Sequence, residues 1–451
     1  MKSSNLLKCV VALVVTASMP AWAGSWQTQT VVANGGIGPW IAIDASGNLA
    51  VAWGFSAYPI SENLVRTGAI GQPWGATVDL TGQVTGVLDL PQLHTTASGN
   101  LTVIYNQGDP AVSMFTDHPA GGGWSTPAVI PGSSEAGQIT QYFPLFTSDS
   151  NGDQAIVWGG GGPRGTANPI QVAVRPAGGV WQTPATIATG TFVTVDGGVT
   201  APDGTTAVAW ESYTASCGSR VCKTTNWSLH VSTLAPGSHT WVDSGQLLFS
   251  ATSQNHGLLA ADSNHNLGLI SINGGNIVSL VRHSSGVWTS PVTVASASAL
   301  LLDLSHQPNE PADNRCFGSD NAGDATVVGW GNNQTTNLVA VSGNLQTNTW
   351  GAVNVITGSD QNPNYYRLAV SSAGQAIVAY ALQLDQNTIR GIVRPGPTSA
   401  WGAPATVGTG NDVSALAITV GINSAGQAAV AFSAYTSDFT SFINYVNTFK
   451  P

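Results

Sequence analysis

The chain has 451 residues, of which 8% are charged, 42% are hydrophobic and 53 are glycine. Basic residues number 13 against 23 acidic ones, and without Lys2 and Lys8, which lie in an apolar leader, the formal charge is −12. That balance excludes nucleic acid and anionic membrane as charge-driven partners, and the glycine-rich, charge-poor composition fits turn-rich β structure rather than disorder.

Residues 1–23 carry the pattern of a secretory signal. Lys2 and Lys8 supply the positive start, Cys9 to Thr16 a short apolar core, and Ala21-Trp22-Ala23 a cleavage signature. The apolar run is too short to span a bilayer, and Cys9 directly after Lys8 is a poor match to a lipoprotein attachment site. The expectation is a soluble exported protein, periplasmic or secreted, with residues 24–451 as its mature chain and no membrane insertion.

From Trp26 onward the chain repeats itself. Trp26, Trp74, Trp124, Trp181, Trp241, Trp288, Trp350 and Trp401 each open a strand-like run, four of them as W-x-x-P, at intervals of 48, 50, 57, 60, 47, 62 and 51 residues. Periods of this size point to propeller blades. Between successive tryptophans a second anchor recurs, a polar turn ending in Gly followed by an apolar run that closes on an aromatic. It runs Asp44 to Trp53, Ser98-Gly99 to Tyr105, Asp149 to Trp158, Asp203-Gly204 to Trp210, Asp320 to Trp330, Gly374 to Tyr380 and Gly426 to Phe432. The copy at Asp262 to Ser271 is degenerate, with His265 in place of Gly. Asp bonds its own backbone two residues on, and Gly takes a positive φ without steric cost. The flanking runs are short and rich in Ala, Val and Ile, as buried strands are. No stretch after residue 24 shows helical periodicity.

Each unit therefore holds four strands: a before the turn, b after it, c before the next Trp, and d from that Trp. The expected fold is an all-β, eight-bladed propeller, with seven blades as the alternative, in one domain over 24–451. A ring escapes the size limit of a single core because each blade buries its faces only against its two neighbours. The mature chain opens on a d strand, and its last unit ends after c near Ile443 to Thr448. The Trp26 strand is thus expected to complete the last blade and lock the ring. The repeat tryptophans read as outer-strand packing between blades.

Cys217 and Cys222, five apart in SCGSRVCK, read as a loop disulfide in an oxidising compartment. Cys316 reads as a buried thiol. In a propeller the d-to-a and b-to-c loops share one face, and here that face carries the longest insertions, residues 131–143, 211–228 and 296–314. Variable loops on a rigid scaffold are where binding concentrates. The most polar insertion gathers Asp303, His306, Glu310, Asp313 and Arg315, enough for acid–base work or for a metal. Residues just before each a strand are expected to face the axial funnel: Asp89, Tyr142, Asp196, His256, Asp313, Arg315, Tyr365, Tyr366 and Arg367. Aromatics beside carboxylates and arginine suit a carbohydrate, whose faces stack while its hydroxyls need polar partners.

Several chemistries lack a signature. Asp149, Asn151 and Asp153 resemble half of a calcium loop, but Gln154 and Gly160 stand where Gly and Glu are needed. There is no nucleophile elbow, zinc-protease helix, P-loop or dinucleotide fingerprint, and no spacing that defines a metal site. No cofactor is expected.

With the repeat assembled, the chain resembles two groups of secreted propellers. One is the sialidase-like Asp-box superfamily, whose S-x-D-x-G-x-x-W hairpin is similar to Ser148-Asp149 through Gly152 with Trp158. Its arginine triad is missing, so sialidase activity does not carry over. The other is the bacterial propeller lectins, a resemblance that implies sugar pockets between blades. The function expected is non-catalytic binding of a glycan or other extracytoplasmic ligand on the long-loop face. A polysaccharide-cleaving enzyme built on the 303–315 cluster with Asp196 or His256, and an envelope protein–protein scaffold, are the alternatives.

Overall fold

The computed structural model describes residues 24–451 apart from 58–59, 82–83, 86–90, 109–111, 134–144, 160–168, 191, 218–221, 303–315, 332–336, 359, 361–362, 383–384, 386 and 414–417. The side chains of 56, 57, 60, 61, 84, 85, 217, 222 and 364 also lie outside the description. The described residues form eight antiparallel sheets and no α-helix.

Seven sheets are contiguous in sequence and ordered a-b-c-d from the axis outward. Blade 1 is Ile37–Ile43, Asn48–Ala57, Ile60–Ala69 and Val78–Asp79. Blade 2 is Gln92–Thr95, Leu101–Gln107, Val112–His118 and Ala128–Val129, and blade 3 is Leu145–Ser148, Gln154–Gly159, Ile170–Arg175 and Ala185–Ala188. Blade 4 is Val193–Thr200, Thr206–Cys217, Cys222–Leu234 and Val242–Asp243, and blade 5 is Gly257–Ala261, Leu267–Asn273, Asn276–Arg282 and Val292–Ser296. Blade 6 is Phe317–Ser319, Asp324–Trp330, Leu338–Asn344 and Thr349–Trp350, and blade 7 is Pro363–Val370, Ala376–Leu382, Thr388–Arg394 and Ala405–Thr409.

Blade 8 joins the two ends of the chain. Its strands Thr419–Ile422, Ala428–Tyr435 and Phe442–Lys450 are completed by Ser25–Trp26, with Ser25 opposite Lys450 and Trp26 opposite Phe449. Thr30–Asn34 continues along the same edge, Thr30 opposite Val446 and Asn34 opposite Ile443. The closing strand expected from the repeat phase is therefore present, and so are eight blades.

The core lies between blades rather than within any one of them. Ala42, Ala50, Ala52 and Val65 of blade 1 pack with Leu93, Val103 and Tyr105 of blade 2, and Ala429, Ala431 and Val446 of blade 8 pack with Ile41, Ile43 and Val51. Strand b meets a neighbour on both faces, so it is apolar throughout instead of alternating. The repeat tryptophans sit in these seams: Trp124 joins the 1/2 cluster, Trp74 the 8/1 cluster, and Trp26 the 7/8 cluster. Two buried arginines bolt seams by polar contacts. Arg175 pairs with Asp117 at 2.6 Å and donates to Thr102 Oγ1 in the preceding blade. Arg394 donates to Ser342 Oγ and Thr326 Oγ1 at 2.8 and 2.7 Å. Both guanidinium groups also stand over the Trp of their own unit, Trp181 and Trp401.

The a–b turns follow the expected chemistry with one shift. Asp149 Oδ1 accepts from the backbone N–H of Asn151, Gly152 and Asp153, which accounts for this turn without calcium. Asp44, Asp262, Asp320 and Asn423 do the same work in their units. In blade 4 this place is Ala201, and Asp203, two residues on, caps Thr205 instead. The turn glycines have a second duty besides positive φ: a Cβ at Gly374 would stand 2.7 Å from Asp320 of the previous turn. Blade 5 breaks the rule, and His265 takes the left-handed place (φ 64°) by bonding Asp203 of blade 4 through Nδ1.

One insertion is not a loop. Residues 211–217 and 222–228 prolong strands b and c of blade 4, 12 and 13 residues long, which stay paired out to Cys217 opposite Cys222. The Thr, Ser and Tyr residues along them favour extended backbone. Backbone register thus sets the two cysteines directly across from each other, and their side chains lie outside the described residues.

Candidate functional site

The site residues named from sequence scatter. Asp89, Tyr142, Asp303, His306, Glu310, Asp313 and Arg315 fall outside the described residues. Tyr366 is not on the funnel: it is fully buried in the seam, its hydroxyl donating to Val328 O at 3.0 Å and to Cys316 Sγ at 3.3 Å. The reason is a bulge. Pairing of strand a in blade 7 shifts register between Asn364 and Tyr366, with Tyr365 left over at φ 46°, and one extra residue exchanges the two faces of a strand. Arg367 consequently lines the axial cavity, as expected of it. Cys316 is buried, as read from sequence.

That cavity holds roughly 540 Å³ and is bounded by a strands and a–b turns of blades 1, 2, 3, 6, 7 and 8. Its most distinctive side chain is His94. The ring packs edge-on against Phe146, and Nδ1 lies 3.0 Å from Ser148 Oγ. Nε2 is buried with no hydrogen-bond partner among the described residues. Burial pushes this imidazole down to about 4, so it stays neutral at physiological pH.

Asp196 and His256, in contrast, come together, and a third residue joins them. Asp196 occupies the bulge in strand a of blade 4, between Val195 opposite Trp210 and Gly197 opposite Ala209. His256 ends the connection from blade 4 to blade 5 in a left-handed conformation, φ 54°. Glu211 lies on strand b of blade 4, opposite Thr194 and Leu229. One ligating atom from each of the three falls within 4.8 Å of the others, and His256 Nδ1 stands 3.9 Å from Asp196 Oδ1. Both carboxyl groups are buried, at 1% and 0% exposure, while 22% of the His256 side chain reaches solvent.

The hydrogen bonds to the acids come from the 254–257 connection, where the His256 backbone N–H also bonds Glu211 and the Gly257 backbone N–H also bonds Asp196. Gln254 Nε2 donates to Asp196 Oδ1 at 3.3 Å and the Asn255 backbone N–H to Glu211 Oε1 at 2.7 Å. Asp196 Oδ2 and Glu211 Oε2 accept no hydrogen bond among the described residues. Burial, and then the neighbouring Glu211 charge, holds the Asp196 carboxyl well above the usual carboxylate range, and burial also raises Glu211. Beside the cluster stands an aromatic row. Tyr213 stacks on Trp227 with ring centroids 4.1 Å apart, Phe192 lies 5.4 Å from Tyr213, and Asn255 Nδ2 ties Trp227 O to the cluster.

Glu211 escaped the sequence reading, yet a signal was there. It follows the strand-b anchor Trp210, where the other units have Gly54, Asn106, Gly159, Ile272, Gly331, Ala381 and Ser433. A carboxylate at a buried, repeat-defined position is a departure that the packing does not require.

The described residues define an eight-bladed propeller with one asymmetric acidic cluster, beside the connection from blade 4 to blade 5. No protein-family model matches the chain, and no curated protein matches it in sequence. Solved structures match its shape. A puromycin hydrolase mutant superposes with a TM-score of 0.50 at 14% identity, over 91% of this chain and 60% of that one. Polysaccharide lyase Uly1 gives 0.47 at 10% identity, covering 93% and 90%. The six-bladed, fucose-recognising lectin of Aleuria aurantia gives 0.37 at 13% identity, covering 72% and 97%. At such identities the likeness concerns the propeller fold alone, and the Asp-box relationship finds no support.

Proposed function

We propose that this chain is an exported propeller that binds a glycan at the seam between blades 4 and 5. The observation that supports it is the pairing of two buried carboxylates, each with an uncommitted acceptor oxygen, with the Phe192–Tyr213–Trp227 row. Buried charge without full hydrogen bonding is costly and is kept where a ligand uses it. Sugar hydroxyls are donors, and sugar faces stack on rings. Among the described residues the cluster occurs in one seam, so one pocket is expected instead of a lectin's ring of similar ones. A glycan-array screen of residues 24–451 tests this, with Tyr213→Ala and Asp196→Asn expected to weaken any hit at least 10-fold. Hits that neither variant changes would place the binding elsewhere, and silence on the array would remove the reading.

A second reading is favoured by the raised carboxyls. A carboxyl whose pKa is raised by burial is suited to general-acid work on a polysaccharide, with His256 as its partner. Incubating array hits with protein and looking for shortened chains separates the two. Products lost in Glu211→Gln would make the site catalytic, and intact glycan would leave it a binding site.

A further inference from the structure

We propose that Asp196, Glu211 and His256 form a binding site for a divalent cation of the Zn2+ or Mn2+ type, with open coordination positions on the His256 side. This inference concerns the same seam as the glycan reading but does not require a sugar.

The argument starts from counting donors and acceptors. Asp196 Oδ2, Glu211 Oε2 and the neighbouring Asn255 Oδ1 are all buried acceptors that receive no hydrogen bond among the described residues. A proton shared between the two carboxyls would supply one donor and leave an acceptor over, whereas a cation neutralises both acids and engages several acceptors together. Among the described residues, other buried acids do not show this surplus. Asp44, Asp149, Asp262 and Asp320 each turn an oxygen onto at least two backbone N–H groups.

Geometry agrees. With metal–ligand bonds of about 2.0–2.1 Å, ligand atoms on a tetrahedral ion lie about 3.4 Å apart. His256 Nδ1 and Asp196 Oδ1 already stand at 3.9 Å, and all three ligands lie within 4.8 Å, so side-chain shifts of about 1 Å close the set. The ligands come from three separate elements, two held in β structure and the third in a fixed left-handed conformation, so the set is largely preformed. The donor set selects the ion. One imidazole and two carboxylates suit Zn2+ or Mn2+, whereas Ca2+ takes 6–8 oxygen ligands and Mg2+ keeps most of its waters. Three protein ligands leave room for water or a ligand oxygen, and the partly exposed His256 edge supplies the entry path.

The test is titration of untagged, chelator-stripped protein with ZnCl2, MnCl2 and CaCl2 by calorimetry, with Co2+ absorption as an independent spectroscopic readout. Expected is saturable uptake of one Zn2+ or Mn2+ per chain, with weaker or no uptake of Ca2+. Asp196→Asn, Glu211→Gln and His256→Ala should each weaken affinity at least 10-fold and abolish the Co2+ bands. Zn2+ should raise the Tm of the unmodified protein and leave that of Glu211→Gln unchanged, with both proteins folded beforehand by circular dichroism. No 1:1 uptake, or uptake that all three variants retain, overturns the inference. Either result leaves the glycan reading to the array, where binding that survives a chelator would stand without the ion.

Discussion

Removing residues 24–34 deletes the closing strand, and the structure sets the size of the effect. Val32 is fully buried, and burying such a side chain contributes about 1.5–3 kcal/mol. Trp26, half-buried against Phe449 in the 7/8 seam, adds roughly half the value of a full aromatic, about 1.5 kcal/mol. Gln27 N–H to Thr448 O and the ladder opposite Ile443–Lys450 add about 0.5–1.5 kcal/mol per bond. A loss of at least about 5 kcal/mol follows, a large fraction of the 5–15 kcal/mol that holds a typical protein folded. For a ring of this length that melts as one unit, unfolding entropy is about 0.9 kcal/mol per degree, so Tm should fall by about 6 °C or more. Val32→Ala, which removes two methyl groups from the same strand, should cost about 1–2 kcal/mol and lower Tm by only 1–2 °C. Calorimetric melting of the three proteins decides it. A deletion that melts within 1 °C of the full chain would show that the ring does not depend on its seam.

Three further outcomes follow from other features. Arg394→Ala should destabilise by about 2–4 kcal/mol in urea unfolding, because Thr326 and Ser342 lose their donor and Trp401 its cation; Arg394→Lys, with no fork to reach both hydroxyls, should recover less than half. His94 is neutral in the folded chain with its pKa lowered from 6.5 to about 4, so its contribution is complete above pH 6.5 and drains away as pH falls toward 4, by up to about 3 kcal/mol; urea midpoints of His94→Gln should lose that part of the acid slope, and an unchanged slope would assign it to other groups. Thiol titration of residues 24–451 under denaturing, non-reducing conditions should find one free thiol, from Cys316, because register sets Cys217 opposite Cys222 within disulfide reach; three free thiols would show no bridge.

The fold was legible because repetition amplifies weak signals. One W-x-x-P or one Asp-to-Gly turn says little, but eight copies in phase define blades, their number and the strand that closes them. The site was legible only in part. Asp196 and His256 read from sequence as residues heading an a strand, and the structure joins them. Glu211 sits on a strand that reads as pure core, and its partners come from strand a of the same blade and from the connection to blade 5, so the cluster exists only once the chain is folded. Tyr366 failed for a local reason, since the bulge at Tyr365 reverses the alternation on which its placement rested. Residues 211–217 and 222–228 looked like a loop because their polar alternation carries no apolar core signal.

The seam between blades 4 and 5 therefore combines the features that a purely structural seam would lack, and its energetics can be checked directly. A residue kept for stability should make the protein weaker when replaced, whereas one of two like carboxyls crowded together should make it stronger. Glu211→Gln keeps the shape and the oxygen that accepts from Asn255 N–H, and it removes one of the two buried acids. In metal-free buffer at neutral pH the change should stabilise by about 1–2 kcal/mol, as neutral replacements of costly buried charge do. On the entropy scale used above that is a rise in Tm of about 1–2 °C. A fall of 2 °C or more would mean that the carboxylate holds the Gln254–His256 connection in place, and the acids would then be structural. A rise would mark Glu211 as a group the fold carries at a cost, as expected of a ligand-binding residue.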